Sequence, residues 1–381
     1  MKNTKELLEE NRQWVEQTFK KVDAKLSKVT VRSRDKLADG VVENGVHRST
    51  PPTNWTSGFW GGLNYMMYAY TKNEDYLATA RKSELLLDEA LEKYEKLSHD
   101  VGFMWHLTSG ASYRLFGDEK SKVRNLFAAS MLFSRFVPSG GFIRVWNGEG
   151  RENWTIVDCM MNLPLLYWAS DVIGDDRFKQ IAVAHADMTM LDHVREDGSV
   201  VHIVEHDRQT GESACTYGGQ GYGVGSSWSR GQAWGLYGFV ISYIHTGDWK
   251  YIDTAKRIAN YFIANCCDDW LPRIDFRAPS EPVYYDSTAG AIAACGLIEL
   301  GRILPEHEGG MYTNAALNLL KAMDKAFMNY DPDRDDMLNY GSGRYPTEPS
   351  QIGKAHLSII YGDYYYTEAL LKLLGADFFP W

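Results

Sequence analysis

Cysteine is scarce. The chain has five in 381 residues, with Cys266 and Cys267 adjacent and the others scattered. The odd count and the lack of metal-ligand spacing argue against a disulfide framework or a structural zinc site, and point to a reducing compartment. Basic charge is also short: 40 Lys and Arg face 50 Asp and Glu, a net charge of −10. That excludes an extended nucleic-acid surface and disfavours broad binding to long polyanions. No apolar run approaches a membrane span, and the opening stretch MKNTKELLEENRQWVEQTFKKV is charged. A cytoplasmic protein with no membrane segment is therefore expected, in which the sequons at Asn54 and Asn153 are idle. Persuasive strand alternation is rare, and low-complexity segments are absent.

What the chain has in quantity is apolar and aromatic. The hydrophobic fraction is 44% and the aromatic fraction 13%, with 12 Trp and 23 Tyr. That supports a large core, and it suits sugar binding equally, because ring faces cover the C–H faces of a sugar.

Helical periodicity runs from end to end in two alternating kinds of segment. Six are amphipathic and charged, near 4–23, 74–95, 119–136, 176–193, 249–265 and 311–328. Six are apolar all round, and they open near Ser57, Asp100, Asp158, Ser229, Ser287 and Gly362. A helix apolar on all sides belongs inside, and an amphipathic one belongs on its outside. Short turns such as Phe116-Gly-Asp118 and Thr246-Gly-Asp-Trp249 lead from the apolar kind to the charged kind, where Gly ends one helix and Asp caps the next. The return connections are long. Six inner and six outer helices joined in this way describe an all-α (α/α)6 barrel, expected as a single catalytic domain over residues 1–381. Its long loops share one end, the N-terminal mouths of the inner helices, which favour anions.

Several polar residues converge on that mouth. Asp158 heads the strongly apolar stretch Trp154–Ala169, and Asp100, preceded by His99, heads another. Each could be a helix cap; together they are the minimum kit for acid/base work on a glycoside. Arg230 suits a carboxylate or hydroxyl-rich ligand, or an ion pair with one of the two Asp. Trp55, Trp228 and Trp234 could stack on sugar rings, although Trp234, one turn inside, equally reads as core. The loop Val201-His-Ile-Val-Glu-His206 offers His202 and His206, whose spacing matches no standard metal motif. The Gly-rich loop 218–225 lacks a phosphate-binding pattern and reads as ligand-lining.

Taken together, Asn54-Trp-Thr-Ser-Gly-Phe-Trp60, Ser98-His-Asp-Val-Gly-Phe103, Ile156-Val-Asp-Cys-Met-Met-Asn-Leu-Pro164, Ser227-Trp-Ser-Arg-Gly-Gln-Ala-Trp-Gly-Leu-Tyr-Gly-Phe239, Asp286-Ser-Thr-Ala-Gly-Ala-Ile-Ala-Ala-Cys-Gly296 and Tyr361-Gly-Asp-Tyr-Tyr-Tyr366 resemble the unsaturated glucuronyl hydrolases, glycoside hydrolase family 88. The resemblance implies the (α/α)6 fold, no metal or other cofactor, and a substrate bearing a 4,5-unsaturated uronic acid at its non-reducing end, as lyases leave on glycosaminoglycans. The implied chemistry is hydration of a vinyl ether. Asp158 matches the general acid and base, and Asp100 the second carboxylate. His202, Gln220 and Arg230 match positions that contact substrate or water. Trp55, Trp146 and Trp228 match the aromatic pocket, and His99 flanks Asp100 as in the family. A Ser-x-x-Ser-x-Lys motif of sulfate-preferring members is not reproduced: the last long loop carries Ser350 and Lys354 at the wrong spacing, leaving Lys354 to meet a sulfate or solvent.

The expected partners are unsaturated uronic-acid disaccharides or short oligosaccharides, with no nucleic acid and no membrane, the protein being a monomer or homodimer. The alternatives are an unsaturated rhamnogalacturonyl hydrolase on pectin fragments, a non-catalytic sugar-binding protein, and an isomerase relying on His pairs that the sequence does not make evident.

Overall fold

The computed structural model describes residues 2–381, without the side chains of 41–43; Met1 of the expected domain lies outside the described residues. Among the described residues, twelve α-helices alternate between two rings. The odd-numbered outer ones are α1 (Thr4–Arg32), α3 (Glu74–Leu91), α5 (Glu119–Phe133), α7 (Asp176–Asp192), α9 (Trp249–Ala264) and α11 (Glu306–Phe327). The inner ones are α2 (Phe59–Thr71), α4 (Ala111–Phe116), α6 (Pro164–Ile173), α8 (Ser229–Thr246), α10 (Ser287–Ile303) and α12 (Ile360–Leu373). The inner ring closes where α12 packs against both α10 and α2. The fold is an (α/α)6 barrel.

Local chemistry explains the alternation. The side chains of Asn73, Asp118, Asp175 and Asp248 accept backbone N–H bonds at the starts of α3, α5, α7 and α9. Gly117, Gly174 and Gly247 end α4, α6 and α8 in the left-handed conformation. At the first such turn that position falls to Lys72 (φ 60°), because Asn73 is needed as the cap of α3. Every residue of α8 from Ser229 to Ser242 is buried, as is every residue of α10 from Ser287 to Ile298. Such all-round burial is what an apolar helix demands.

Three departures from the sequence reading bear on the site. First, α1 runs to Arg32, since Val22, Leu26 and Val29 extend its buried stripe and Lys25 is buried with them, its ammonium donating to the Asp331 carbonyl at 2.8 Å. Second, three inner helices open irregularly: α2 follows a 3₁₀ turn, Trp55–Gly58, α4 follows a π-helical segment, Gly102–Gly110, and α6 follows a 3₁₀ turn, Val157–Met161, with Pro164 in its first turn. Third, the long loops carry small antiparallel sheets. The largest pairs Trp154–Ile156 with Ile203–His206, and the latter with Ser213–Tyr217. Strands this short show too few alternations to read from sequence.

Candidate active site

A cavity of about 280 Å³ lies at the mouths of the inner helices. Asp100, Asp158, His99 and His202 line it, with Trp55 and Trp146 among its walls and Gln220 and Arg344 on the loop side. A larger groove of about 500 Å³, between α1 and the ends of α2 and α12, is edged by the charged side chains Glu9, Arg12, Glu16 and Lys20. It brings together no buried acid pair, so the chemistry belongs to the smaller cavity.

Asp158 sits on the 3₁₀ turn, and the residue capping that turn is Ile156, which makes no side-chain cap bond. Asp158 is therefore not a helix cap. The sheet sets its surroundings. With Ile156 opposite Ile203, the Val157 N–H donates to the His202 carbonyl at 3.1 Å. His202 Nε2 then stands 3.3 Å from Asp158 Oδ2. On the other side of the ring, His202 Nδ1 accepts from the Gln220 N–H at 3.0 Å. A neutral imidazole accepting at Nδ1 carries its proton on Nε2, the ring nitrogen beside Asp158. The loop approaches this closely only through Gly219, at φ +59°, where a Cβ would lie 2.1 Å from His202 Nδ1.

Asp100 precedes the π-helical segment. Ser98 Oγ donates to it at 3.1 Å, and His99 Nε2 lies 3.1 Å from its other oxygen. Burial pushes the Asp100 carboxyl above its usual range; the charge of Asp158 adds to that, and His99 and Ser98 only partly offset it. For Asp158 burial is also the largest single influence and acts upward, yet His202, His99 and Arg230 together outweigh it and hold the carboxyl below its usual range. The two acids are driven apart: Asp100 keeps its proton to higher pH, and Asp158 gives its proton up earlier.

The remaining residues singled out from sequence fall into two groups. Trp55 packs on Phe59, Phe103 and Tyr361, and Trp146 borders Trp154; both also line the cavity. Arg230, Trp228 and Trp234 lie behind its wall. Arg230 is 1% exposed and forms an ion pair with Asp286, not with Asp100 or Asp158. It also donates to the carbonyls of Ser342 at 2.6 Å and Gly343 at 3.2 Å. The Trp228 ring is buried against His202, centroids 4.1 Å apart, with the Arg230 guanidinium 4.4 Å away. Trp234 belongs to the core, against Phe103 and Tyr365. The set His202, Glu205 and His206 does not converge on a metal position: Glu205 meets Tyr217, and His206 meets Thr155 and the Gly211 carbonyl.

Lys354 and Ser350 are exposed on a 3₁₀ turn, Pro349–Lys354, and neither lines the cavity, although the Gly343 N–H, next to Arg344, donates to the Lys354 carbonyl at 2.7 Å. The cation the last long loop brings to the cavity is Arg344, which sequence reasoning missed. Gln220 Nε2 donates to the Gly343 carbonyl at 2.7 Å and the Tyr345 N–H to the Gln220 carbonyl at 2.8 Å, so the loop crosses the mouth beside Arg344. Among the described residues Arg344 has no ion-pair partner. The only local signal was a lone cation in the small-residue run Gly341-Ser-Gly-Arg344. A His pair, not evident from sequence, is also present, but each of its members faces a carboxylate.

Comparison with known proteins shows what the chain is similar to. A family model described as Glycosyl Hydrolase Family 88 matches residues 26–265. An unsaturated glucuronyl hydrolase of Bacillus sp. (strain GL1) is 36% identical over 331 residues, 84% of this chain and 86% of that protein. An unsaturated chondroitin disaccharide hydrolase of Streptococcus pneumoniae is 32% identical, covering 84% and 82%. The crystal structure of the unsaturated glucuronyl hydrolase from Bacillus sp. GL1 superimposes with a TM-score of 0.87 at 33% identity, covering 94% of this chain and 97% of that one.

Proposed function

Because the chain belongs to glycoside hydrolase family 88, we propose that it releases a 4,5-unsaturated uronic acid from the non-reducing end of lyase-made glycosaminoglycan disaccharides or short oligosaccharides by hydrating the vinyl ether. The observation that carries this reading is the pair of enclosed carboxyl groups, Asp158 and Asp100, each with a histidine within 3.3 Å and 3.1 Å respectively, at the floor of a cavity with tryptophans among its walls. Relatives named for glucuronyl and chondroitin disaccharide substrates support the substrate class.

In this reading Trp55 and Trp146 hold the sugar ring and Arg344 meets its carboxylate. The Asp158 carboxyl gives its proton to C4, and a cation develops at C5, shared with the ring oxygen. Asp100 orients the water and stabilises that cation. Water adds to C5 and returns a proton to Asp158; the hemiketal then opens, the resulting hemiacetal at C1 breaks down, and the leaving sugar departs. Asp158 is ionised easily in the free site, so its proton has to be secured on binding. The anionic substrate adds negative charge and expels water, and both effects raise the Asp158 carboxyl. His202 holds the carboxylate in place between the two transfers. One catalytic domain along the whole chain is part of the proposal, supported by a core cluster running from Val15 to Leu371. A cytoplasmic setting is part of it too, supported by five free cysteines.

The test is a panel of unsaturated disaccharides from chondroitin, hyaluronan and heparin, sulfated and unsulfated, with pectin-derived unsaturated fragments beside them, followed by the ultraviolet absorbance of the conjugated C4=C5 bond. Loss of absorbance on the glycosaminoglycan set is expected. Turnover of the pectin fragments alone would make the protein a rhamnogalacturonyl hydrolase, and binding without turnover anywhere would leave a sugar-binding protein.

A further inference from the structure

The segment Asp158-Cys-Met-Met-Asn162 contains a second polar residue that the chemistry above does not use. Asn162 is fully buried just beyond the 3₁₀ turn that carries Asp158. That turn leaves a gap in the backbone bonding. The Asn162 N–H bonds to the Cys159 carbonyl at 2.9 Å rather than to the Asp158 carbonyl four residues back. The Asn162 side-chain Nδ2 takes its place and reaches the Asp158 carbonyl at 3.4 Å. Its Oδ1 meanwhile accepts from the Phe103 N–H at 2.9 Å. Phe103 lies in the first turn after Asp100, where N–H groups have no acceptor within their own helix. The two segments touch closely enough that a Cβ on Gly102 would fall 2.6 Å from Asn162 Oδ1 and 2.8 Å from its Cα. One amide, acceptor on one side and donor on the other, thus ties the opening of one acid-bearing segment to the opening of the other.

We propose that Asn162 is a positioning residue, whose side-chain amide bridges the segments carrying Asp158 and Asp100 and holds the two carboxyl groups at their working separation. The proposal rests on the reading that these two acids act together. A side chain with only a donor or only an acceptor makes half of the bridge, and a longer one has no room beside Gly102. The π-helical segment Gly102–Gly110 fits the same role, since such wide turns recur at functional sites.

The test perturbs the contact from both sides, with Asn162→Leu, close in volume but without polar atoms, and Gly102→Ala, which drives a methyl group into the amide. Steady-state rates on an unsaturated disaccharide are measured across pH, with thermal unfolding and circular dichroism as controls. Both variants should lose about 10- to 100-fold in kcat, as an ångström-scale misplacement does, with KM within about threefold of wild type. The pH dependence of kcat should move by about half a unit or more, because the coupling of the two acids has changed. If Asn162→Leu does not fold, Gly102→Ala decides alone. A wild-type kcat and an unmoved pH profile in folded protein, even with a lowered melting temperature, overturn the proposal and leave Asn162 a packing residue. Asp158→Asn is assayed alongside. If it retains turnover, the underlying reading of Asp158 is what fails; if it is inactive while the bridge variants behave as wild type, only the positioning role fails.

Discussion

Replacing Arg230 by methionine tests how the mouth of the barrel is held. The guanidinium is 1% exposed and is paired with Asp286, itself fully buried. Removing the cation strands that carboxylate, and breaking a buried pair from one side costs about 3–5 kcal/mol. The lower half of that range applies, because Asp286 keeps bonds from the Thr288 N–H at 3.1 Å and Ser342 Oγ at 2.7 Å. The carbonyls of Ser342 and Gly343 lose a donor as well, each at about 1 kcal/mol. For a chain of this length, with an unfolding entropy of about 2.1 cal/mol/K per residue, the total of about 5–6 kcal/mol lowers the melting temperature by about 6–8 °C. Asp286→Asn removes the charge yet can still cap α10, so the pair is suited to a double-mutant cycle by calorimetry. Arg230→Met with Asp286→Asn should recover at least about 2 kcal/mol of the summed single losses. KM should also rise in Arg230→Met, because the loop that presents Arg344 loses its tie. A melting temperature unchanged in Arg230→Met, with KM raised by more than tenfold, would refute this reasoning and return Arg230 to direct contact with the ligand.

Three further outcomes follow from the charges. Arg344→Gln should raise KM for an anionic disaccharide about tenfold with little change in kcat, the loss expected of one charge-assisted contact; an unchanged KM in steady-state assays would remove Arg344 from the site. His202→Ala removes a group that holds Asp158 down while burial still pushes it up, so Asp158 keeps its proton to higher pH. The alkaline limb of kcat/KM should therefore move upward, and a downward shift would contradict the assignment. Asp363 is buried and its carboxyl is raised from 3.8 to about 7. A raised acid stabilises the fold fully below the unfolded value, and that contribution is lost as pH rises through about 7. At about 1.4 kcal/mol per unit the loss is at most about 4 kcal/mol. Asp363→Asn should flatten the fall in melting temperature between acidic and mildly alkaline pH, and an unaltered pH dependence would count against it.

The two rings of helices were legible because their burial demands differ. A segment such as Ser229–Ser242 that is apolar on every side has nowhere to go but inside, and Gly-Asp turns mark where each inner helix gives way to an outer one. Asp158 and Asp100 were legible for a related reason, as carboxylates at the heads of apolar runs. The partnerships around them were not. His202 reaches Asp158 through a strand pairing only three residues long, and Arg230 finds Asp286 from another inner helix, with no local pattern joining the two. Trp228 and Trp234 share one stretch of sequence with Arg230, and spacing alone does not separate a ring that faces a cavity from one that backs it. Arg344 was hidden for want of any periodicity in its loop, since two bonds with Gln220, one donated and one accepted by that distant residue, decide where it crosses the mouth.

In the proposed reaction Asp158 protonates C4 of an unsaturated uronic acid. The most direct measurement is turnover of an unsaturated chondroitin disaccharide in heavy water, with the product examined by NMR, for wild type and for Asp158→Asn. Proton transfer from Asp158 should leave a single deuterium on one face of C4, with loss of the C4=C5 absorbance in step with release of the second sugar, and Asp158→Asn should bind the disaccharide without turning it over. Release of the second sugar with the double bond intact and C4 free of deuterium, or full activity in Asp158→Asn, would contradict it.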